Sequence, residues 1–200
     1  DNDRHHTDIE DVYLQVLRRA QRRVVIANAY FFPGYRLLRE IRNAARRGVE
    51  VRLILQGQPD MLVAKLAARM TYDYLLKAGV QIHEYCERPL HGKVALVDEE
   101  WSTVGSSNLD PLSLSLNLEA NVLIRDRAFN RHLFERLEDL SHNHCKAMDA
   151  AKSPRGRIWH MTVGFLVFHF LRHFPAMAGW LPAHKPRLKP FSHAAGSDHS

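Results

Sequence analysis

Between Asp8 and Tyr85 the apolar spacing alternates between a helical and an extended period three times, and no other feature limits the possible folds as much. Behind Asp8, a suitable N-cap, Ile9, Val12, Tyr13, Val16, Leu17 and Ala20 recur at helical intervals and predict an amphipathic helix. "VVIANAYFF" (24–32), with β-branched residues at its head and Pro33-Gly34 behind it, predicts a strand. Leu37, Leu38, Ile41, Ala44 and Ala45 mark a second helix stopped at Gly48, and "VEVRLILQ" (49–56) a second strand. A third helix, about 60–77, ends at Gly79 ahead of the strand "VQIHEY" (80–85). This alternation predicts a sheet with parallel members, right-handed crossovers and covering helices.

The pattern then changes. "GKVALVD", "STVGSS" and "LEANVLIR" follow one another without a helical stretch between them, which predicts antiparallel neighbours. Asp126 stands where it would cap a last helix with Phe129, Leu133, Leu137 and Leu140 on its apolar side. The fold class is α/β, a mixed β-sheet flanked by helices, assigned to residues 1–148. With 46% apolar residues, the 200-residue chain suffices for one such domain and a modest appendage.

Residues 149–157, around "KSPRGR", have the composition of a linker, and 158–185 form the most apolar stretch. Its uninterrupted part, Ile158 to Leu171, holds two His and falls short of the roughly 20 residues a bilayer span needs. On a helical wheel Thr162, His169, Arg172 and His173 share one side, which fits a helix lying in a membrane interface with Trp180 as a further anchor. Packing against the domain or another half of the protein is the competing account. Residues 186–200 have the composition of a disordered tail. A formal charge of +6 favours anionic partners, without choosing between nucleic acid and a lipid surface. Only two cysteines, Cys86 and Cys145, argue against a disulfide framework and for a reducing compartment. The first residue is not Met, which fits a piece of a longer protein.

Chemistry concentrates in "HGKVALVDEEWSTVGSSN" (91–108). If "KVALV" is a strand, His91 and Lys93 face the same side, Asp98 ends it, and a return strand brings Ser106, Ser107 and Asn108 back toward them. A His-x-Lys alone is ordinarily a surface or core feature; the whole string is far more specific. Imidazole, ammonium, hydroxyl and carboxamide groups on one spot suit a phosphodiester. Lys93 and Asn108 would hold the non-bridging oxygens, and His91 would attack phosphorus or protonate a leaving oxygen. No metal or other cofactor is called for. Glu119 is the carboxylate expected to orient the His91 ring. Asn28 and Tyr30, near a strand end, are expected either to be core or to edge the substrate groove. His142, His144 and Cys145 lack a fourth metal ligand at usable spacing, and the pairs Arg18-Arg19, Arg22-Arg23 and Arg46-Arg47 are either solvated charge or contacts to anionic lipid.

The string His91, Lys93, Asp98, Gly105, Ser106 and Asn108 resembles the signature of the phospholipase D superfamily. Together with "NAYFFPGYR", "RPLHGKVALVD" and "VGSSNLDPLSLSLNLEANV", it is similar to the second halves of bacterial cardiolipin synthases, over about residues 1 to 185. That resemblance implies two related halves sharing one active site. It also implies transfer of a phosphatidyl group between two phosphatidylglycerol molecules, releasing glycerol, through a phosphohistidine. One motif His is then the nucleophile and the other the acid and base; His91, in the second motif, is expected to be the acid and base. The implied partners are anionic phospholipid, a membrane surface, and an N-terminal half or second copy, with no nucleic acid; the implied location is the cytoplasmic side of a bacterial inner membrane. Where many relatives carry Arg-Ser after Asn-Leu-Asp, this chain has Pro111, Leu112 and Ser113, which puts acceptor preference in question. Two other accounts stay open: a homodimeric single-motif nuclease or phosphodiesterase, and an inactive half with a binding role.

Overall fold

The computed structural model of the chain describes residues 8–58, 62–110, 114 and 119–149. The linker, the apolar segment and the tail assigned to 149–157, 158–185 and 186–200 lie outside these, apart from Asp149. Helix α1 (Asp8–Arg19) leads into β1 (Arg23–Asn28), α2 (Tyr35–Arg46), β2 (Glu50–Gln56), α3 (Leu62–Leu76) and β3 (Gln81–Tyr85). Then follow β4 (Lys93–Val97), β5 (Trp101–Gly105), β6 (Asn121–Arg125), α4 (Arg127–Asn143) and β7 (Cys145–Ala147). The seven strands form one sheet in the order β6-β5-β4-β1-β2-β3-β7. β1, β2 and β3 are parallel; β4, β5 and β6 continue antiparallel on one side and β7 on the other.

Both faces of the central strands are buried, and alternation assigns each residue to a layer. Val24 and Ile26 of β1 join Leu14, Leu17, Leu37, Ile41 and Leu75 in a core beneath α1, α2 and α3. Val25 and Ala27 face the other way, with Ile54, Leu96 and Leu137 beneath α4. The stops at Gly48 and Gly79 are as the sequence predicts: both have positive φ, 89° and 92°, which glycine adopts without a Cβ penalty. Asp126 caps α4, its carboxylate accepting from Phe129 N at 2.7 Å.

Two boundaries shift by several residues from expectation, and one strand is added. β1 stops at Asn28 rather than Phe32, because the chain leaves the ladder there and meets the segment after β5 in a bridge between Phe31 and Leu109. β6 begins at Asn121, so Glu119 precedes it. β7 pairs with β3 although Cys145-Lys146-Ala147 carries no strand signature.

A polar cluster ties α4 to the sheet: Arg52 donates to Ser141 Oγ at 3.1 Å, and His83 Nδ1 lies 3.1 Å from the Ser141 carbonyl. Burial, followed by the Arg52 charge, lowers the His83 pKa from 6.5. The folded state therefore resists protonation, so this contribution is whole above 6.5 and is lost as pH falls below it. Melting temperature should drop between about pH 7 and 5, and less steeply in His83→Gln. An unchanged slope in the variant would remove His83 as the cause.

Candidate active site

The register of the sheet brings one end of β1 and β4 together: Asn28 pairs with Lys93, and beyond them Val94 pairs with Val104 and Gly105 with Asn121. With about 4.8 Å between strands, this row delivers the ends of four strands to one place. Lys93 is buried, and its ammonium donates to the His91 carbonyl at 3.1 Å. Burial lowers the Lys93 pKa, and the Glu119 carboxylate pulls it partly back. An ammonium has three donors, so the bond to His91 O leaves capacity for a phosphate oxygen. His91 itself is exposed just ahead of β4.

Gly105 lets β5 meet β6 closely, since a Cβ there would collide with the Asn121 side chain and the Ala120 carbonyl. The following Ser106 donates its hydroxyl to Glu119 and accepts from Ala120 N at 3.0 Å. Glu119 thus sits against Ser106 and acts on Lys93. Among the described residues it makes no bond to the His91 ring, the partner expected for it. The reason is local: Ser106 N is itself bound to Ala120 O at 3.0 Å, which places the two residues within reach of one another.

Asn108 Oδ1 accepts from Tyr30 N at 3.4 Å, and Leu109 N donates to Asn28 Oδ1 at 3.2 Å. These bonds fix Asn108 beside the end of β1. Of the two places expected for Asn28, core or groove edge, it takes the first: it is fully buried and anchors the Leu109 backbone. Tyr30, half-buried, holds Asn108 through its backbone. Ser107 is only 1% exposed and its amide donates to Asn121 Oδ1 at 3.3 Å, so it supports the turn rather than facing substrate. Exposed His91 and Ser106, the Lys93 ammonium and half-buried Asn108 are gathered at this end of the sheet, with Glu119 beside them.

Asp98 lies elsewhere. It ends β4 at the opposite side of the sheet, about 16 Å from Lys93 along the strand. Its carboxylate accepts from the backbone amides of Gln21, Arg22 and Arg23 at 2.8–3.2 Å, and its φ is 53°. Asp98 belongs to the signature by fastening the α1–β1 turn to β4, not by chemistry at phosphorus. Asp98→Ala orphans those amides and is expected to cost about 2–3 kcal/mol, given that bonds to a charged group contribute about 1.5–3 kcal/mol each and overlap here. Denaturant unfolding checks this; a loss of activity with unchanged stability would contradict it. His142 and His144 also have separate partners, the Glu138 carbonyl and the Glu87 carboxylate, so they do not converge with Cys145.

A mixed sheet with His, Lys and Asn gathered at one end is the architecture of the phospholipase D superfamily. Nuc, a phospholipase D family member from Salmonella typhimurium, superposes with a TM-score of 0.61 at 21% identity, covering 70% of this chain and 90% of that one. Phosphatidylserine synthase of Haemophilus influenzae gives 0.60 at 17% identity, covering 86% of this chain and 44% of the other. Residues 13–141 match the family described as cardiolipin synthase, phospholipase D-like domain, and the chain belongs to it. It is 61% identical over 188 residues to cardiolipin synthase B of Salmonella typhimurium and 59% identical to that of Escherichia coli strain K12. Each alignment takes in 94% of this chain and 46% of the relative, so the chain spans about half the length of these proteins.

Proposed function

We propose that this chain supplies one half of the active site of a cardiolipin synthase-type phosphatidyltransferase. The observation that carries this is the convergence of His91, Lys93 and Asn108 in a chain 61% identical to a cardiolipin synthase B. In the first step a His of the complementary half attacks the phosphorus of phosphatidylglycerol. The bond to the glycerol oxygen breaks, and His91 gives that oxygen its proton. In the second step His91 takes the proton of a hydroxyl on another phosphatidylglycerol, whose oxygen displaces the phosphohistidine and yields cardiolipin. Lys93 and Asn108 bind the non-bridging oxygens and stabilise the charge that grows on them, and this stabilisation is worth most in a site closed to water.

Need for a complementary half is supported by the edge of the sheet nearest the site. Val104, Val122 and Leu123 are 37%, 63% and 52% exposed, an apolar edge beside Gly105 and Asn121. Lipid is favoured over nucleic acid by the relatives' level of identity; the +6 charge suits an acidic membrane surface, on the cytoplasmic side of a bacterial inner membrane. The test is product stoichiometry in the completed enzyme, meaning this chain with the half that carries the first motif. Mixed micelles of phosphatidylglycerol labelled in its headgroup should give one glycerol per cardiolipin. Phosphatidic acid as the main product, or cleavage of DNA in place of lipid turnover, would overturn the assignment.

A further inference from the structure

Three contacts hold the backbone around His91, and two come from residues outside the signature. On the far side of His91, the Lys93 ammonium grips the His91 carbonyl at 3.1 Å. On the near side, Leu90 packs against the core beneath α4. The Leu90 amide, one residue before the imidazole, donates to Gln56 Oε1 at 2.7 Å, across 34 positions of sequence. Gln56 closes β2, next to Leu55, which pairs with Asn28 of β1 and so belongs to the site end of the sheet. Its other end is fixed as well: Nε2 donates to the Gln58 carbonyl at 2.9 Å. The carboxamide is therefore anchored at both ends, and it ties a loop that is free of sheet pairing, residues 86–92, to a rigid strand.

We propose that Gln56 is a positioning residue that sets the height of His91 over the phosphorus; this rests on the proposed role of His91 as acid and base. A proton donor must lie within about 3 Å of the leaving oxygen, and displacement by about 1 Å costs on the order of 10²-fold in rate. Leu90, held by its side chain alone, fixes the depth of the loop in the core but not its rotation. The bond from its amide removes that remaining freedom, and no other described group takes the amide.

Gln56→Met keeps the length of the side chain and deletes the acceptor. In the completed enzyme it is expected to lower kcat for cardiolipin formation about 10- to 100-fold with KM changed less than about twofold, because substrate binding by Lys93 and Asn108 is left intact. Hydrogen exchange at the Leu90 amide should quicken at least about tenfold while the melting temperature stays within about 2 °C of the parent. Unchanged exchange, or faster exchange with kcat within about twofold of the parent, would overturn the proposal, as would a fall in kcat matched by loss of folded protein. Parent enzyme that makes no cardiolipin, or that keeps its activity in His91→Ala, would instead overturn the assignment of function on which the proposal rests.

Discussion

His91→Ala in the completed enzyme is expected to lower cardiolipin formation about 10³-fold, within the range that a positioned acid and base contributes. The step most affected is departure of glycerol, an alkoxide-like leaving group that cannot leave at neutral pH without a proton. A donor whose leaving group is p-nitrophenolate needs no such proton. On that substrate the first step should survive the mutation, and a phosphatidyl adduct should accumulate on the complementary half, because capture by an acceptor hydroxyl still lacks its base. Mass spectrometry of the quenched protein locates the adduct. An adduct on His91 in the parent protein would reverse the assignment and make His91 the nucleophile.

Lys93→Met should separate activity from stability. The ammonium lies against the His91 carbonyl, and loss of such a stabilising group costs about 10²–10³-fold in rate. Stability should move the other way. Burial depresses the Lys93 pKa below its ordinary 10.5, so the folded state holds that proton less firmly than the unfolded state does. The resulting cost is fully present at neutral pH and shrinks only as pH rises through the depressed pKa toward 10.5. Replacing the cation with an apolar side chain of similar length is expected to raise the melting temperature by about 2–4 °C, equivalent to about 1 kcal/mol in a domain of this size. A variant that is both inactive and less stable would mean that Glu119, deprived of its counter-charge, costs more than the buried ammonium did. Lys93→Arg is not expected to restore the rate, because a planar fork cannot occupy the position of a compact ammonium within a packed strand end.

The order of helices and strands was legible because each element carries its own period, and the buried strands are rich in Val, Ile and Leu. The Asp126 cap and the glycines at 48 and 79 were legible for a related reason: the residue type required at those points is narrow. β7 was not, since three residues without β-branching become a strand only because β3 offers an open edge. Within the motif, spacing alone brings His91, Lys93 and Asn108 together. Spacing does not show burial: it left Asn28 between core and groove edge and did not separate buried Ser107 from exposed Ser106. It also does not show direction: Asp98, five residues beyond Lys93, is at the far end of the strand by simple geometry, yet the signature string suggests a single cluster. Glu119 was expected against the His91 ring, but its partner is the neighbouring Ser106. Gln56 gave no signal, because a Gln at the end of an apolar strand is unremarkable until the Leu90 amide is seen against it.

The most direct test of a divided active site is cardiolipin formation from labelled phosphatidylglycerol while this chain, at fixed concentration, is titrated with the half carrying the first motif. Product should be absent at the start, rise with added half, saturate at equal amounts of the two, and vanish when His91→Ala replaces the parent chain. Full turnover by this chain alone, unaffected by the added half, would contradict the account and establish a site built from two copies of the same motif.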